Sequence, residues 1–205
     1  MGLISNGTTL LDAGSISAAK GALTHIKTLT ASSSSTLSFV DGASSVVLDG
    51  TYKEYIFKFY DIHPSNASTR FQFNGSIDGG SNYNVTKTTS MFIAGHLEAD
   101  TDTTLTYQTG DDLAQGTGFQ DLAAYGDSDS ANDSCLAGTL HIFDIANTTF
   151  VKHFMARTNY VAHSYYSVDS YAAGYFNTTS ALDAFQFKFT SNNIDAGTIK
   201  LYGVT

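Results

Sequence analysis

The stretch Tyr52-Lys-Glu-Tyr-Ile-Phe-Lys-Phe-Tyr-Asp-Ile62 decides the fold class. Tyr55, Phe57 and Phe59 fall on one side of a period of two, and Ile56, Lys58 and Tyr60 fall on the other. A strand has that period, whereas a helix would scatter the same rings around its circumference. Bulk on both sides marks a central strand, with one face in a core and the other against a loop or a neighbouring subunit. The single proline, Pro64, follows closely. It lacks a ladder donor and confines His63 to extended geometry, so the strand is expected to end there.

The same alternation recurs outward from this segment. Leu23, His25 and Lys27 alternate with Thr24, Ile26 and Thr28, and Phe185, Phe187 and Phe189 alternate with Ala184, Gln186 and Lys188. Further strands are expected at Leu37 to Val40, from Phe71, at Tyr83 to His96, Thr103 to Gln108, Leu136 to Ile145, Thr149 to Arg157, Tyr160 to Val168, Tyr171 to Phe176 and Ile199 to Tyr202. The connections are short and carry Gly, Asn, Asp or Ser, such as Asn74-Gly75 and Asp78-Gly79-Gly80. This spacing predicts an all-β protein, an antiparallel two-sheet β-sandwich of jelly-roll type formed as one domain by residues 22–205. Residues 1–21 are small and polar and read as an N-terminal arm or docking segment, in which Ile16 to Ala22 forms a short helix or a docked strand. Gly110 to Asp133 is long, acidic and rich in small residues, and reads as an excursion at one rim.

Composition bounds the function. Only 14% of residues are charged, and 10 Lys and Arg against 19 Asp and Glu give a net charge of -9, which repels phosphate backbones and anionic headgroups. No nucleic-acid partner and no membrane insertion are therefore expected, and no basic-then-apolar leader opens the chain, which implies synthesis in a cytoplasm. Low charge with abundant Tyr, Ser, Thr and Asn points to self-association. Cys135 is the only cysteine, with no intramolecular partner, and is expected to be buried as a small hydrophobe.

No catalytic motif is present: there is no nucleophile elbow, no His-Glu-x-x-His and no phosphate-binding loop. No cofactor is expected. His141 and His153 lie in consecutive segments and would approach across a hairpin, as metal ligands or as two polar-face residues. Asp127-Ser-Asp129-Ser-Ala-Asn-Asp133 spaces oxygens as a calcium loop begins, but lacks the central glycine and closing glutamate, so a solvated turn is the plainer reading. Asp111-Asp112 and the group His96, Glu98 and Asp100 are carboxylate clusters of the kind found at strand ends. Asn-x-Ser/Thr triplets such as those at Asn66, Asn74, Asn84, Asn147 and Asn177 arise from composition alone. Tyr160, Tyr165, Tyr166, Tyr171 and Tyr175, set among polar residues, are the candidate interface or glycan contacts, since a tyrosine offers an apolar face and a polar tip.

Gly50-Thr-Tyr-Lys-Glu-Tyr-Ile-Phe-Lys-Phe-Tyr60, Phe71-Gln-Phe-Asn-Gly-Ser-Ile-Asp-Gly-Gly-Ser-Asn-Tyr83 and Gly197-Thr-Ile-Lys-Leu-Tyr-Gly203 resemble segments of virion structural proteins of marine tailed bacteriophages, a jelly-roll-like group. The resemblance covers most of the chain from about residue 22 and brings no catalytic residue with it. It implies a non-enzymatic protein of the virion exterior, foremost a capsid decoration or cement subunit. Such a subunit would be a homo-oligomer, with a trimer as the candidate stoichiometry, resting on the major capsid protein or tail proteins with the N-terminal arm gripping the shell. The alternative is a tail-associated receptor-binding or glycan-binding module that contacts a host surface glycan. A glycan-degrading enzyme using Glu98 with Asp100 or Asp111 is the third reading.

Overall fold

The computed structural model describes residues 3–5, 8–12, 15–16, 22–123 and 128–205. Leu3–Ser5 (β1), Thr8–Asp12 (β2) and Ser15–Ile16 (β3) pair antiparallel as a small sheet. Residues 17–21, where a helix or strand was left open, lie outside the described residues. The strands that follow are Leu23–Thr30 (β4), Leu37–Val40 (β5), Glu54–Pro64 (β6), Phe71–Ser76 (β7), Lys87–Leu97 (β8), Thr103–Tyr107 (β9), Gln120–Asp121 (β10), Leu136–Phe143 (β11), Lys152–Val161 (β12), Tyr166–Phe176 (β13), Ala184–Phe189 (β14) and Ile194–Val204 (β15).

These twelve strands make two antiparallel sheets, one of eight in the order β4-β15-β6-β11-β12-β13-β8-β9 and one of four in the order β10-β7-β14-β5. The all-β, two-sheet expectation is met. The sheets face each other across a phenylalanine core. Phe57 of β6 meets Phe39, Phe185 and Phe187 of the short sheet with ring centroids 5.2, 5.5 and 5.0 Å apart, mostly edge-on, the geometry that ring quadrupoles favour. Phe59 meets Phe71, and Phe73 meets Phe154. The opening alternation is reproduced: Tyr55, Phe57 and Phe59 are buried, while Lys58 and Tyr60 face outward between β15 and β11. Pro64 is the last residue of β6, opposite Ile194.

Three expectations are corrected. The segment Gly110 to Asp133 is not a rim excursion along its described first half. Residues 113–116 pair alongside the start of β8, where the Lys87 N–H donates to the Gly116 carbonyl at 2.8 Å and the Thr89 N–H to the Leu113 carbonyl at 2.8 Å, and Gln120 packs under β8 against Thr89 and Met91. Without that cover the inward side chains of β8, Met91 among them, would face water; burying them outweighs the preference of a long polar segment for solvent. Next, Tyr160 to Val168 is not a strand of its own. β12 runs on to Val161, and a tight turn closed by Ala162 and Tyr166, with Tyr165 at φ 62°, starts β13. Finally, Cys135 is half-buried, because Leu136 beside it takes the core-facing position; its Sγ lies 4.0 Å from the Asp61 carboxylate.

Candidate functional site

The outer face of the eight-stranded sheet carries adjoining hollows lined by side chains of β8, β12 and β13. Register places Ser90 of β8, Ala173 of β13 and Met155 of β12 in one row across the strands. Two residues along each strand in one direction stand Phe92, Tyr171 and Arg157; in the other stand Thr88, Tyr175 and His153. Ser90 and Ala173, with Met155 beside them, thus floor a groove between two rows of mostly larger side chains. Its volume is about 540 Å³, with Phe143 at one end, and it runs into a more apolar recess of about 230 Å³ between Phe92, Tyr171 and Met155.

The first wall is a stack. Phe92 and Tyr171 lie 4.7 Å apart and within 5° of parallel, and the Arg157 guanidinium covers the other face of Tyr171 at 5.0 Å. Arg157 is fixed in turn by Asp169, with Nε donating to Oδ1 at 3.0 Å and Nη2 to Oδ2 at 2.6 Å, and the Tyr171 hydroxyl donates to the same carboxylate at 3.1 Å. These hydrogen bonds hold the Asp169 carboxyl below its ordinary value and the Arg157 guanidinium above its own. Beyond Arg157 a polar depression of about 400 Å³ opens over Ala137, Thr139 and Asn159. The opposite wall pairs His153 with Tyr175 at 6.0 Å, and the Gln115 side chain donates to the Thr88 hydroxyl at 2.7 Å and the Tyr175 hydroxyl at 3.4 Å.

Two glycines underlie the two hollows. Gly174 and Gly138 occupy core-facing positions, and a Cβ at Gly174 would stand 2.5 Å from the Thr88 carbonyl oxygen, with Gly138 more crowded still against the Arg157 backbone. Only glycine permits strands to close to this distance. Gly174 lines the groove of about 540 Å³ and Gly138 the polar depression of about 400 Å³.

Of the five candidate tyrosines, Tyr171 and Tyr175 stand at the groove. Tyr165 is 61% exposed at the β12–β13 turn, and Tyr166 is half-buried against the core with its hydroxyl donating to Asp102. Tyr160 is corrected as a contact residue: at 2% exposure it points into the core, because it shares the parity of Phe154 and Ala156. Phe92, Met155 and Arg157 join the site without having been singled out, and His153, singled out only with His141, joins it as well. Their signal was the outward half of the alternation in β8 and β12.

The carboxylates gather elsewhere. Glu98 and Asp100 sit in the β8–β9 turn, where Asp100 accepts from His96 at 3.1 Å, and Asp111 lies past the other end of β9 beside Arg70. Asp121 shares Arg70 at 3.3 Å, and burial pushes its carboxyl up to about 6. His141 bonds the Glu54 carboxylate at 2.6 Å and is paired with Met155, one step diagonal to His153. Asp129 bonds the Ser130 N–H, and Asp127 lies outside the described residues. Among the described residues no group of three or more His, Cys, Asp or Glu side chains is placed to hold a metal ion. Nor is any helix there long and apolar enough to cross a membrane. Comparison of the chain with protein-family models, with curated proteins and with solved structures finds no match.

Proposed function

We propose that the protein is a non-enzymatic jelly-roll module of a virion exterior whose working surface is the outer groove, and that the groove binds saccharide. The strand order supports the jelly roll. Setting aside the hairpins β8–β9 and β12–β13, the chain alternates between sheets at every step but one, β7 to β10, which are paired neighbours in the short sheet, and the order β4-β15-β6-β11 faces β10-β7-β14-β5. The two hairpins then pair with each other, β13 against β8, as a four-stranded wing added beyond β11. The groove is formed mainly by this wing.

The observation that carries the binding reading is the groove with its adjoining recess: a floor of Ser90, Ala173 and Met155 between the Phe92–Tyr171 stack and the His153–Tyr175 pair, with a fixed Arg157–Asp169 pair and the amide of Gln115 at its margins. Sugars present apolar C–H faces to rings and hydroxyls to such polar groups, and a concave site with few oriented polar atoms is how small ligands are held. A glycan array on the purified protein tests it. Binding is expected, and is expected to be lost in Phe92→Ala and Tyr171→Ala with the fold intact by circular dichroism; no binding at millimolar sugar ends the reading.

A second reading, the capsid decoration or cement subunit, is favoured by the exposed edge strand β9, where Leu105 is 77% exposed beside Tyr107. Here the wing meets another copy or a capsid protein, and β1–β3 serve the arm. Immunogold electron microscopy of particles separates the two, with label over the whole head for decoration and at one vertex for a tail module.

A further inference from the structure

The row that holds Tyr171 continues beyond the groove. From Arg157 the register passes to Thr139 on β11, Lys58 on β6 and Lys200 on β15. Lys58 and Lys200 are therefore directly opposite each other on the outer face, and like charges so placed destabilise a sheet. The residues beside them in register are Thr139 and Thr28, and those two positions away along their strands are Ile56, Tyr60, Thr198 and Tyr202. None is acidic. Neither lysine has an ion pair among the described residues; each leans instead over a ring, Lys58 Nζ 5.3 Å from the Tyr202 centroid and Lys200 Nζ 5.0 Å from that of Tyr60. In a chain with 10 basic residues and a net charge of -9, two uncompensated cations side by side are out of character.

Their position is also directional. The groove floor of Ser90, Ala173 and Met155 extends in register to His141, Ile56 and Tyr202. Four strand steps separate Ala173 from Tyr202, roughly 19 Å at about 4.8 Å per strand. A short oligosaccharide lying in the groove and crossing the strands arrives beside Lys58 and Lys200. On the far side of that path Glu54 is engaged by His141 at 2.6 Å.

We infer that the saccharide taken by the groove is acidic, carrying carboxylate or sulfate groups, and that it runs across the strands from the aromatic walls to Lys58 and Lys200. The inference rests on the saccharide-binding reading and narrows it. An ammonium group is a compact charge that suits an anionic oxygen on a flexible chain. The acidic remainder of the molecule repels polyanions in general, so attachment is confined to this stripe.

The test is titration of the full chain with oligogalacturonate and chondroitin sulfate oligosaccharides, with neutral oligosaccharides of matched length and with duplex DNA, at low and high sodium chloride. The acidic sugars are expected to bind at least tenfold tighter than the neutral ones and to weaken with salt as exposed charges are screened. The double variant Lys58→Gln, Lys200→Gln is expected to lose about tenfold on acidic sugars, the equivalent of about 1.4 kcal/mol, and nothing on neutral ones. Both positions point to solvent, and thermal melts check that the variant folds. Equal binding of acidic and neutral sugars, an unchanged double variant, or DNA binding as tight as acidic sugar overturns the inference while leaving a saccharide site. Binding of no saccharide overturns the groove reading as well.

Discussion

A lysine with no solvent exposure and no carboxylate beside it is costly to keep charged. Lys87 lies in the core, donating to Asn74 Oδ1 at 2.6 Å and the Val85 carbonyl at 2.8 Å, with the Phe176 ring at 5.4 Å. Burial lowers its ammonium from 10.5 to about 7. Between those values the unfolded chain holds a proton that the folded one has released, so stability rises with pH across this window and is flat with respect to this group below it. Chemical denaturation at about pH 7 and about pH 10 is expected to show a gain of roughly 2–4 kcal/mol that Lys87→Met abolishes. Gly174 is the second telling residue. Gly174→Ala pushes a methyl group into the Thr88 carbonyl, and a loss of roughly 1–3 kcal/mol is expected in urea melts, with the groove reshaped and sugar affinity reduced. Alternation in the sequence assigned most side chains to one of two faces, but the face alone did not say that Lys87 is buried, since Asn74 and Phe176, which meet its ammonium, come from β7 and the end of β13.

The elements divide into those whose ends and partners were legible and those that were not. β6 and β14 carried strong alternation and were expected close to where they lie, while β15 was expected at Ile199 to Tyr202 and begins five residues earlier, at Ile194. The β12–β13 hairpin was not, because Tyr160, Tyr165 and Tyr166 sustain a strand-like composition through a turn that only the positive φ of Tyr165 reveals. The covering segment was misread for a related reason: its short strand β10 spans just Gln120–Asp121, too brief for periodicity. Besides the backbone bonds of Leu113 and Gly116 to β8, Gln120 ties it to the wing by accepting from the Thr89 hydroxyl at 2.6 Å, and braces the segment itself by donating to the carbonyls of Asp111 at 2.9 Å and Asp121 at 3.0 Å. Gln120→Ala strands buried partners, a loss of about 1–3 kcal/mol for each unsatisfied group. Hydrogen exchange is expected to rise in residues 111–123 and in β8 together, with β6 and β15 unchanged; exchange confined to the substituted residue would show that the segment is held by other contacts.

At the scale of the whole molecule, the long sheet ends in two edges, β4 and β9, and β9 is short, rich in threonine and bears Leu105 and Tyr107 without a lysine or proline to block pairing. The proposed homo-oligomer uses that edge. Size-exclusion chromatography with light scattering is expected to return a multiple of the chain mass for the natural sequence and a smaller mass for Leu105→Lys, whose side chain is already in solvent and whose fold is kept; an unchanged mass would remove β9 from the interface. The site shows the same division between what was and was not legible. Tyr171 and Tyr175 were singled out as amphipathic rings, yet Phe92, fifty residues or more from Arg157 along the chain, joins them only because β8 pairs with β13. What the sequence determined by itself was local: a period of two, turn residues between the runs, acidic charge and no catalytic motif. These follow from backbone geometry and side-chain chemistry, which each short segment carries alone. What only the tertiary structure decided was pairing: which hairpin lies beside which, that the long sheet gains a four-stranded wing, that Tyr160 turns inward while Tyr171 turns out, and that Lys58 meets Lys200. Such contacts join residues distant in sequence, and their free energy comes from burying one shared core, so no single segment encodes them.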